Sequence, residues 1–179
     1  LVALVHHPLA LETGLAPADR DSLARSERRA LRMARAVIAN SAATAKALIQ
    51  DYGVPPDILT IAEPGTDPAR KLARSAGATG SARHLLSVGT VTPRKGYDVL
   101  IEALASIHDL PWTCTIAGSL ERAPDTCADI RARIAAHGLG KRIALVGEVA
   151  AMADLYEAAD IFVLASRHEG YGMAFAEAL

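Results

Sequence analysis

A segment that could bind an anion lies at residues 89–96, GTVTPRKG, directly after a short apolar run. Arg94 and Lys95 are adjacent cations, and Gly96 begins a segment of helical period. The first N–H groups of a helix have no partner inside it, and cations beside such a helix start suit a diphosphate. A solvated basic turn before a helix would have the same sequence, so this segment alone leaves both interpretations open.

A second segment, residues 166–179, combines two glycines with two carboxylates spaced as E-x7-E. Glu169 precedes a predicted final helix and Glu177 lies inside it, while Gly170 and Gly172 would let the backbone approach a ligand closely. The helix start favours a phosphate, and the carboxylates could hold sugar hydroxyls by charge-assisted hydrogen bonds. A capping glutamate followed by a surface glutamate is the alternative interpretation.

The adjacent pair His6-His7 follows the first apolar run, where an imidazole could orient or polarise a bound substrate. Neighbouring side chains on a strand point in opposite directions, so only one of the two can face a given site. A structural histidine at a strand end is the alternative.

Two other charged patterns favour simpler interpretations. The DRD at 19–21 has the D-x-D form of metal-bound nucleotide sites, but it lies at a predicted helix start, which favours capping. Five arginines at 25, 28, 29, 32 and 35 give one predicted helix a basic stripe. Solvation with i,i+4 contacts is favoured there over a membrane or acceptor surface. No zinc-ligand spacing occurs, so we expect no metal site.

Short apolar runs alternate with segments of helical period, which predicts an α/β fold with parallel sheets and right-handed crossovers. The runs are typical of strands buried on both faces, and ligands bind at the carboxyl ends of such strands. The predicted strands are 1–5, 36–39, 58–62, 84–88, 112–117, 142–146 and 161–165. The predicted helices are 19–35, a helix capped by Ser41 that runs to Tyr52 and stops at Gly53, 96–107, 126–137 and 152–159.

One domain boundary is predicted near residue 66, because PGTDP at 64–68 is a loop and 76–81 is small and glycine-rich. Residues 1–66 would then belong to one α/β domain and 67–179 to a second. The chain begins without Met inside a predicted strand and stops inside a predicted helix, so we expect both domains to be incomplete here.

Composition excludes several classes of protein. With 51% apolar residues among 179, the chain can form a packed core, which excludes a disordered protein. A net charge of −1 argues against a nucleic-acid binder. No apolar stretch approaches the roughly 20 residues of a membrane-spanning helix. The two cysteines, Cys114 and Cys127, form no C-x-x-C pair, which favours a reducing, cytoplasmic compartment.

Several short segments, weak one by one, occur together in an order that is typical of one family. They are HP at 7–8, AVIANS at 36–41, PGTD at 64–67, SVG at 87–89 with PRKG at 93–96, AG at 117–118, LVG at 145–147, ADIFV at 159–163 and the whole of 166–179. Over nearly the whole chain this order resembles the retaining nucleotide-sugar glycosyltransferases with the GT-B fold, also called group 1 transferases.

The resemblance implies two Rossmann-like domains with the active site in the cleft between them. Residues 1–66 would be the C-terminal part of the acceptor domain. Residues 67–179 would be most of the C-terminal domain, which holds the nucleotide-sugar, truncated after the start of the E-x7-E helix.

The resemblance also assigns roles residue by residue. Arg94 and Lys95 match the basic pair that contacts the diphosphate, Glu169 matches the glutamate beside the transferred sugar, and Glu177 matches the one that binds ribose hydroxyls. One of His6 and His7 matches a histidine facing the donor sugar, and we favour His6 because it directly continues the strand. One position departs from the pattern, since many members have arginine where this chain has Thr90. The remaining donor-binding positions are Gly89, Val149, Gly170, Tyr171, Gly172 and Met173.

The activity implied is transfer of a sugar from a nucleoside-diphosphate sugar, UDP- or GDP-linked, to an acceptor hydroxyl with retention of configuration. No cofactor and no metal are implied, because the two side-chain cations can neutralise the diphosphate. The acceptor would be a sugar, a lipid or a small molecule, which leaves room for peripheral membrane contact; no nucleic acid is involved. The alternatives are a nucleotide-sugar epimerase or hydrolase on the same fold and a non-catalytic nucleotide-sugar-binding protein. A dehydrogenase is disfavoured because G-x-G-x-x-G is missing.

Overall fold

The described part of the chain, residues 1–66 and 82–179 of a computed structural model, divides into two α/β units. The first comprises Leu1–Thr66 together with His168–Met173. The second comprises residues 82–167 and Ala174–Leu179 among those described. The predicted domain start at residue 67 and the glycine-rich stretch at 76–81 lie outside the described residues.

The sheet of the first unit has, within residues 1–66, three parallel strands in the order β1-β2-β3. They are β1 (Val2–Val5), β2 (Ala36–Ala39) and β3 (Leu59–Ile61). Helix α1 (Pro17–Arg32) connects β1 to β2, and α2 (Ala42–Tyr52) connects β2 to β3. The parallel α/β arrangement predicted from the alternating pattern is therefore confirmed for this part of the chain.

The core of the first unit forms where β2, the central strand, meets the two helices. Val37 of β2, Leu31 of α1 and Leu48 and Tyr52 of α2 are buried together. Such apolar burial is the main stabilising term in a small α/β unit. Strand β1 differs from the expectation of burial on both faces, since Val2 is 60% exposed and its side-chain positions alternate between exposed and half-buried.

The sheet of the second unit has, within residues 82–179, four parallel strands in the order β6-β5-β4-β7. They are β4 (Arg83–Val88), β5 (Trp112–Ala117), β6 (Ile143–Gly147) and β7 (Ile161–Phe162). The intervening and following helices are α3 (Tyr97–Ser106), α4 (Pro124–Ala136), α5 (Met152–Ala158) and α6 (Met173–Ala178).

The core of this unit lies between the two central strands and helices α3 and α4. One buried cluster contains Leu85 of β4, Ile101 of α3, Ile116 of β5 and Ile130 of α4. The next residue of β4, Leu86, points to the opposite face of the sheet and is also fully buried. The central strands therefore satisfy the expectation of two covered faces, and their carboxyl ends are held rigidly by the packing on both sides.

Helix α1 corrects two sequence interpretations. It begins at Pro17 rather than at residue 19, because proline at the first helical position has no N–H to leave unpaired. The N-cap is Ala16 without a side-chain cap, so the interpretation of the DRD segment as a cap is wrong. Asp19 lies in the first turn, where a carboxylate interacts favourably with the helix dipole. The helix ends at Arg32, which places Arg35 outside the stripe.

Other element ends also differ from the predictions. Strand β7 stops at Phe162 rather than at 165, although the Val163 N–H still donates to the Leu86 carbonyl at 2.9 Å. Ile58 belongs to a 3-10 helix rather than to β3. Among the described residues, the three short 3-10 helices missed by the periodicity each begin beside a proline. They are Leu9–Leu11, Pro56–Ile58 and Pro93–Lys95.

The predicted cap of α2 is confirmed. The Ser41 side chain accepts a hydrogen bond from the Thr44 N–H at 3.0 Å, and Gly53 ends the helix in the left-handed conformation that glycine adopts most readily. Within residues 1–66 and 82–179, no helix combines the length and the apolar character needed to cross a bilayer.

Candidate functional site

The loops that follow β4, β5 and β6 are tied to one another at the carboxyl edge of the second sheet. The Gly89 N–H donates to the Ala117 carbonyl at 2.8 Å, and the Gly118 N–H donates to the Gly147 carbonyl at 2.8 Å. This is the edge at which ligands bind in open parallel sheets. Val149, predicted to contact the base through its backbone, lies half-buried just beyond Gly147.

Gly118 is needed because the main chain passes close to itself at this edge, and Gly89 has a φ of +155°, which residues with a side chain rarely adopt. A Cβ on Gly118 would overlap with the Gly89 carbonyl, and a Cβ on Gly89 would lie 2.7 Å from Cε of Lys95. The Tyr97 hydroxyl donates to the same Gly89 carbonyl at 2.8 Å. The structure therefore brings the predicted residues Gly89 and Lys95 together, with the lysine side chain laid across the glycine.

Arg94 and Lys95 lie in the 3-10 helix between β4 and α3, and both are half-buried. The main chain of this turn is held by Arg167. The Arg167 N–H donates to the Arg94 carbonyl at 2.8 Å, and its guanidinium donates to the Pro93 carbonyl at 2.6 Å. A Cβ on Gly96 would overlap with the Ala165 carbonyl, so the same loop also closes the end of the turn.

Arg167 is a site residue whose role was not apparent from the sequence. Its guanidinium also donates to both carboxylate oxygens of Asp98, at 2.9 and 2.6 Å. These hydrogen bonds hold the pKa of Asp98 below its usual range and raise the pKa of Arg167. The position of Arg167 two residues before Glu169 was visible in the sequence, but its partner 69 residues away was not.

Glu177 lies on α6 with its side chain exposed, and its carboxylate accepts a hydrogen bond from the Tyr156 hydroxyl at 2.9 Å. Burial, followed by the contact with Glu177, raises the pKa of Tyr156. The Tyr156 ring lies 5.7 Å from that of Phe162, which in turn contacts Phe175 edge to face at 5.5 Å. Tyr156 was not predictable as a site residue from the sequence, where its only signal was an aromatic residue on the preceding helix.

The segment His168–Met173 belongs to the first unit, where Gly170 lies against the carboxyl ends of β1 and β2. A Cβ on Gly170 would overlap with the His6 carbonyl. On another side, the Gly170 carbonyl accepts hydrogen bonds from the Ser41 hydroxyl at 2.5 Å and the Thr44 hydroxyl at 3.2 Å. The structure therefore brings Gly170 to the main chain of His6. It adds Ser41, which the sequence predicted as a helix cap, and Thr44, which the sequence did not point to.

The two histidines have different surroundings. The His6 side chain is exposed, whereas that of His7 is half-buried with its ring 4.7 Å from the His168 ring. The Nε2 atom of His7 lies 3.9 Å from the Glu12 carboxylate. That one of the pair faces a donor sugar stays a prediction.

The predicted site residues thus fall into two groups, one in each unit. The second unit holds Arg94, Lys95, Gly89, Val149 and Glu177. The first unit holds His6, Glu169, Gly170, Tyr171, Gly172 and Met173; of these Glu169 and Tyr171 are half-buried, Gly172 is buried and Met173 is exposed. Across the parts of the chain that the structure describes, no three His, Cys, Asp or Glu side chains are grouped as a metal would need.

Two family models cover the chain. The one described as glycosyl transferases group 1 matches residues 69–179, and the one described as glycosyltransferase family 4 matches residues 1–70. Among curated proteins, the chain is 28% identical to mannosylfructose-phosphate synthase of Agrobacterium fabrum over 80% of this chain and 35% of that protein. It is 29% identical to a D-inositol 3-phosphate glycosyltransferase of Kineococcus radiotolerans over 85% of this chain and 39% of that protein.

Among solved structures, the chain is similar to Anabaena HepE in complex with UDP and glucose. The TM-score is 0.79 and the identity is 26%, over 99% of this chain and 49% of that one. The chain therefore spans less than half the length of each of these three proteins.

Proposed function

The chain belongs to the group 1 glycosyl transferases, and we propose that the protein transfers a sugar from a nucleoside-diphosphate sugar to an acceptor hydroxyl with retention of configuration. In this proposal Arg94 and Lys95 contact the diphosphate, Glu169 lies beside the transferred sugar and Glu177 binds the ribose. One of His6 and His7 faces the sugar, with His6 favoured, and backbone groups of the loops complete the donor site.

The observation that carries the proposal is the position of Lys95 across Gly89 at the carboxyl end of β4. The Lys95 side chain, which ends in the ammonium group, lies directly over the backbone of Gly89, where no Cβ intervenes. Lys95 belongs to a turn whose main chain is held by hydrogen bonds from Arg167. A cation held in this way is preorganised, so little reorganisation is needed when negative charge develops beside it. This supports a role in stabilising a departing diphosphate.

The donor is proposed to be a UDP-sugar, with a GDP-sugar as the second choice. The support for UDP is that the similar HepE structures are complexes with UDP and glucose and with UDP-glucose. The Glu177 carboxylate, oriented by the Tyr156 hydroxyl, suits a pair of neighbouring ribose hydroxyls because an ionised carboxylate accepts hydrogen bonds at both oxygens.

The reaction breaks the bond between the anomeric carbon and the β-phosphate oxygen, and that oxygen keeps the electron pair. The acceptor hydroxyl oxygen forms a bond to the same carbon on the same face, which retains the configuration. Its proton passes to an oxygen of the departing diphosphate, and the products are the glycoside and the nucleoside diphosphate. Arg94 and Lys95 would stabilise the charge on the leaving group, so we propose that the reaction needs no metal and no cofactor.

The experiment is a calorimetric titration of the full-length protein with UDP, GDP and ADP. We expect saturable binding of one nucleotide, weakened roughly tenfold by Glu177→Gln, since hydrogen bonds to charged groups contribute about 1.5–3 kcal/mol. Glu157→Gln is the matched control, because Glu157 is an exposed glutamate next to Tyr156 on α5. Equal binding by wild type and Glu177→Gln would refute the ribose assignment, and no binding of any nucleotide would refute the proposed function.

Product analysis separates the proposal from its alternatives. A transferase forms glycoside and nucleotide only when an acceptor is present, whereas a hydrolase or epimerase releases free or epimerised sugar without one. A binding protein would take up the donor and release no nucleotide.

A further inference from the structure

The carbonyl of Gly170 is held by two side-chain hydroxyls that lie 129 and 126 residues away in the sequence. The Ser41 hydroxyl donates to it at 2.5 Å and the Thr44 hydroxyl at 3.2 Å. A carbonyl oxygen has two lone pairs, so these two donors satisfy it completely. Ser41 is 8% exposed and Thr44 is 4% exposed, while Gly170 is half-buried, so both hydrogen bonds are partly shielded from competing water.

The start of α2 makes these two hydroxyls available to Gly170. The Ser41 oxygen accepts the Thr44 N–H at 3.0 Å, which caps the helix. The single Ser41 hydroxyl proton has two acceptors in reach, the Gly170 carbonyl at 2.5 Å and the Thr44 hydroxyl oxygen at 3.1 Å, and the carbonyl is the nearer. Helix α2 has 11 residues, and its N-terminus carries a partial positive charge that favours the negative end of a carbonyl dipole. The cap and the dipole therefore both favour a carbonyl oxygen in the place where Gly170 puts one.

The other side of Gly170 is closed by the ends of β1 and β2. A Cβ at this position would overlap with the His6 carbonyl and would lie 3.4 Å from Nδ2 of Asn40. Only glycine fits so close an approach of two main chains. The residue is therefore confined on two sides, and its peptide plane has little freedom to rotate.

The orientation of this peptide determines where the next N–H group points. In a trans peptide the carbonyl and the following N–H point in opposite directions. Because the Gly170 carbonyl points at the start of α2, the Tyr171 N–H points away from it. Tyr171 is one of the positions whose backbone the proposed function assigns to the donor.

We propose that Ser41 and Thr44 are positioning residues that fix the Gly170–Tyr171 peptide so that the Tyr171 N–H, and not a carbonyl oxygen, faces the sugar donor. This inference rests on the proposed function for the identity of the donor. A rotated peptide would present a partial negative charge where a donor N–H is needed, so loss of the two hydroxyls weakens donor binding. The expected effect is on donor binding rather than on acceptor binding, because the peptide that the two hydroxyls orient is the one assigned to the donor.

The test removes each hydroxyl while keeping the cap of α2. Thr44→Val has nearly the same shape and leaves the backbone N–H that Ser41 caps. Ser41→Asp keeps an acceptor for that N–H but has no proton to donate at neutral pH. Ser41→Thr, which keeps the hydroxyl, is the conservative rescue, and Thr60→Val removes an exposed hydroxyl from β3 as the matched control.

Amide hydrogen exchange on the full-length protein without donor tests directly whether the Ser41 and Thr44 hydroxyls hold the Gly170 carbonyl. We expect residues 171–173 to exchange roughly tenfold faster in the Ser41→Asp, Thr44→Val double variant, since each lost hydrogen bond accounts for a factor of about 2 to 10. Residues 45–52 of α2 should keep their protection. Unchanged exchange at 171–173 would overturn the proposal, and so would an equal loss of protection in α2, which would show a role in folding only.

Steady-state kinetics measures how the loss of the two hydroxyls changes the KM for the donor. We expect the KM for the donor to rise about tenfold in the double variant, with the KM for the acceptor unchanged and with Ser41→Thr close to wild type. Equal changes in both KM values would overturn the assigned role. If wild type neither binds a nucleotide nor transfers a sugar, the proposed function fails. The exchange measurement still decides whether the Ser41 and Thr44 hydroxyls hold the Gly170 carbonyl.

Discussion

The guanidinium of Arg167 forms a two-pronged ion pair with the carboxylate of Asp98, with N–O distances of 2.9 and 2.6 Å. The same arginine holds the main chain of the turn that carries Arg94 and Lys95. A planar guanidinium can make these contacts at once, whereas a lysine ammonium lacks the fork geometry. Arg167 therefore connects the loop after β7 both to α3, through Asp98, and to the basic turn after β4.

The first prediction concerns acid stability. The hydrogen bond from Arg167 lowers the pKa of Asp98, so the unfolded chain takes up this proton before the folded chain does as pH falls. The stabilisation is complete above the usual aspartate pKa of about 4 and is lost as pH falls through the lowered value. The free energy of unfolding in urea should therefore be larger for wild type than for Asp98→Asn at pH 7. This difference should shrink as the pH falls towards 3. A difference that stays constant with pH would contradict this role of the ion pair.

The second prediction concerns alkaline stability. The Tyr52 hydroxyl donates a hydrogen bond to the Glu27 carboxylate at 3.2 Å. Burial, together with this nearby carboxylate, raises the pKa of Tyr52 to about 12. In the unfolded chain a tyrosine ionises near pH 10. The stabilisation is therefore present below about pH 10 and is lost as pH rises towards 12. Urea unfolding of wild type should show a steeper fall over this interval than Tyr52→Phe, and equal slopes would count against the buried hydrogen bond.

A third prediction follows from the close approach at Gly170. In Gly170→Ala the new Cβ would overlap with the His6 carbonyl, so the segment 168–173 must move. We expect transfer activity to fall at least tenfold, because small displacements of groups that bind the reacting sugar are costly. Gly140→Ala is the control, since its Cβ would meet open space. If the two variants have the same activity, the position of this segment does not matter for catalysis.

Local features of the fold were predictable from the sequence. Mainly apolar runs such as 36–39 and 112–117 coincide with the central strands, because a strand covered on both faces is rich in apolar residues. The cap at Ser41 and the stop at Gly53 were predictable because each acts within one helical turn. The 3-10 helices were missed, since three residues are too few to show a period.

Contacts between distant segments were not predictable. The hydrogen bond from Ser41 to Gly170 joins residues 129 apart, and the Arg167–Asp98 pair joins residues 69 apart. No periodicity or spacing in one sequence encodes such a pairing, which depends on how the strands are ordered in each sheet. The roles of Arg94 and Lys95 in binding a diphosphate likewise stay predictions that only a functional measurement can test.

The central claim is that Arg94 and Lys95 stabilise the departing diphosphate, and initial rates of nucleotide release from the donor sugar in the presence of acceptor test it most directly. For Arg94→Met and Lys95→Met in the full-length protein, we expect kcat to fall by about 100-fold or more, as on loss of one preorganised donor to a developing charge. Arg122→Met, an exposed arginine of the second unit, should keep the wild-type rate. Near-normal kcat in both the Arg94 and Lys95 variants would contradict the account.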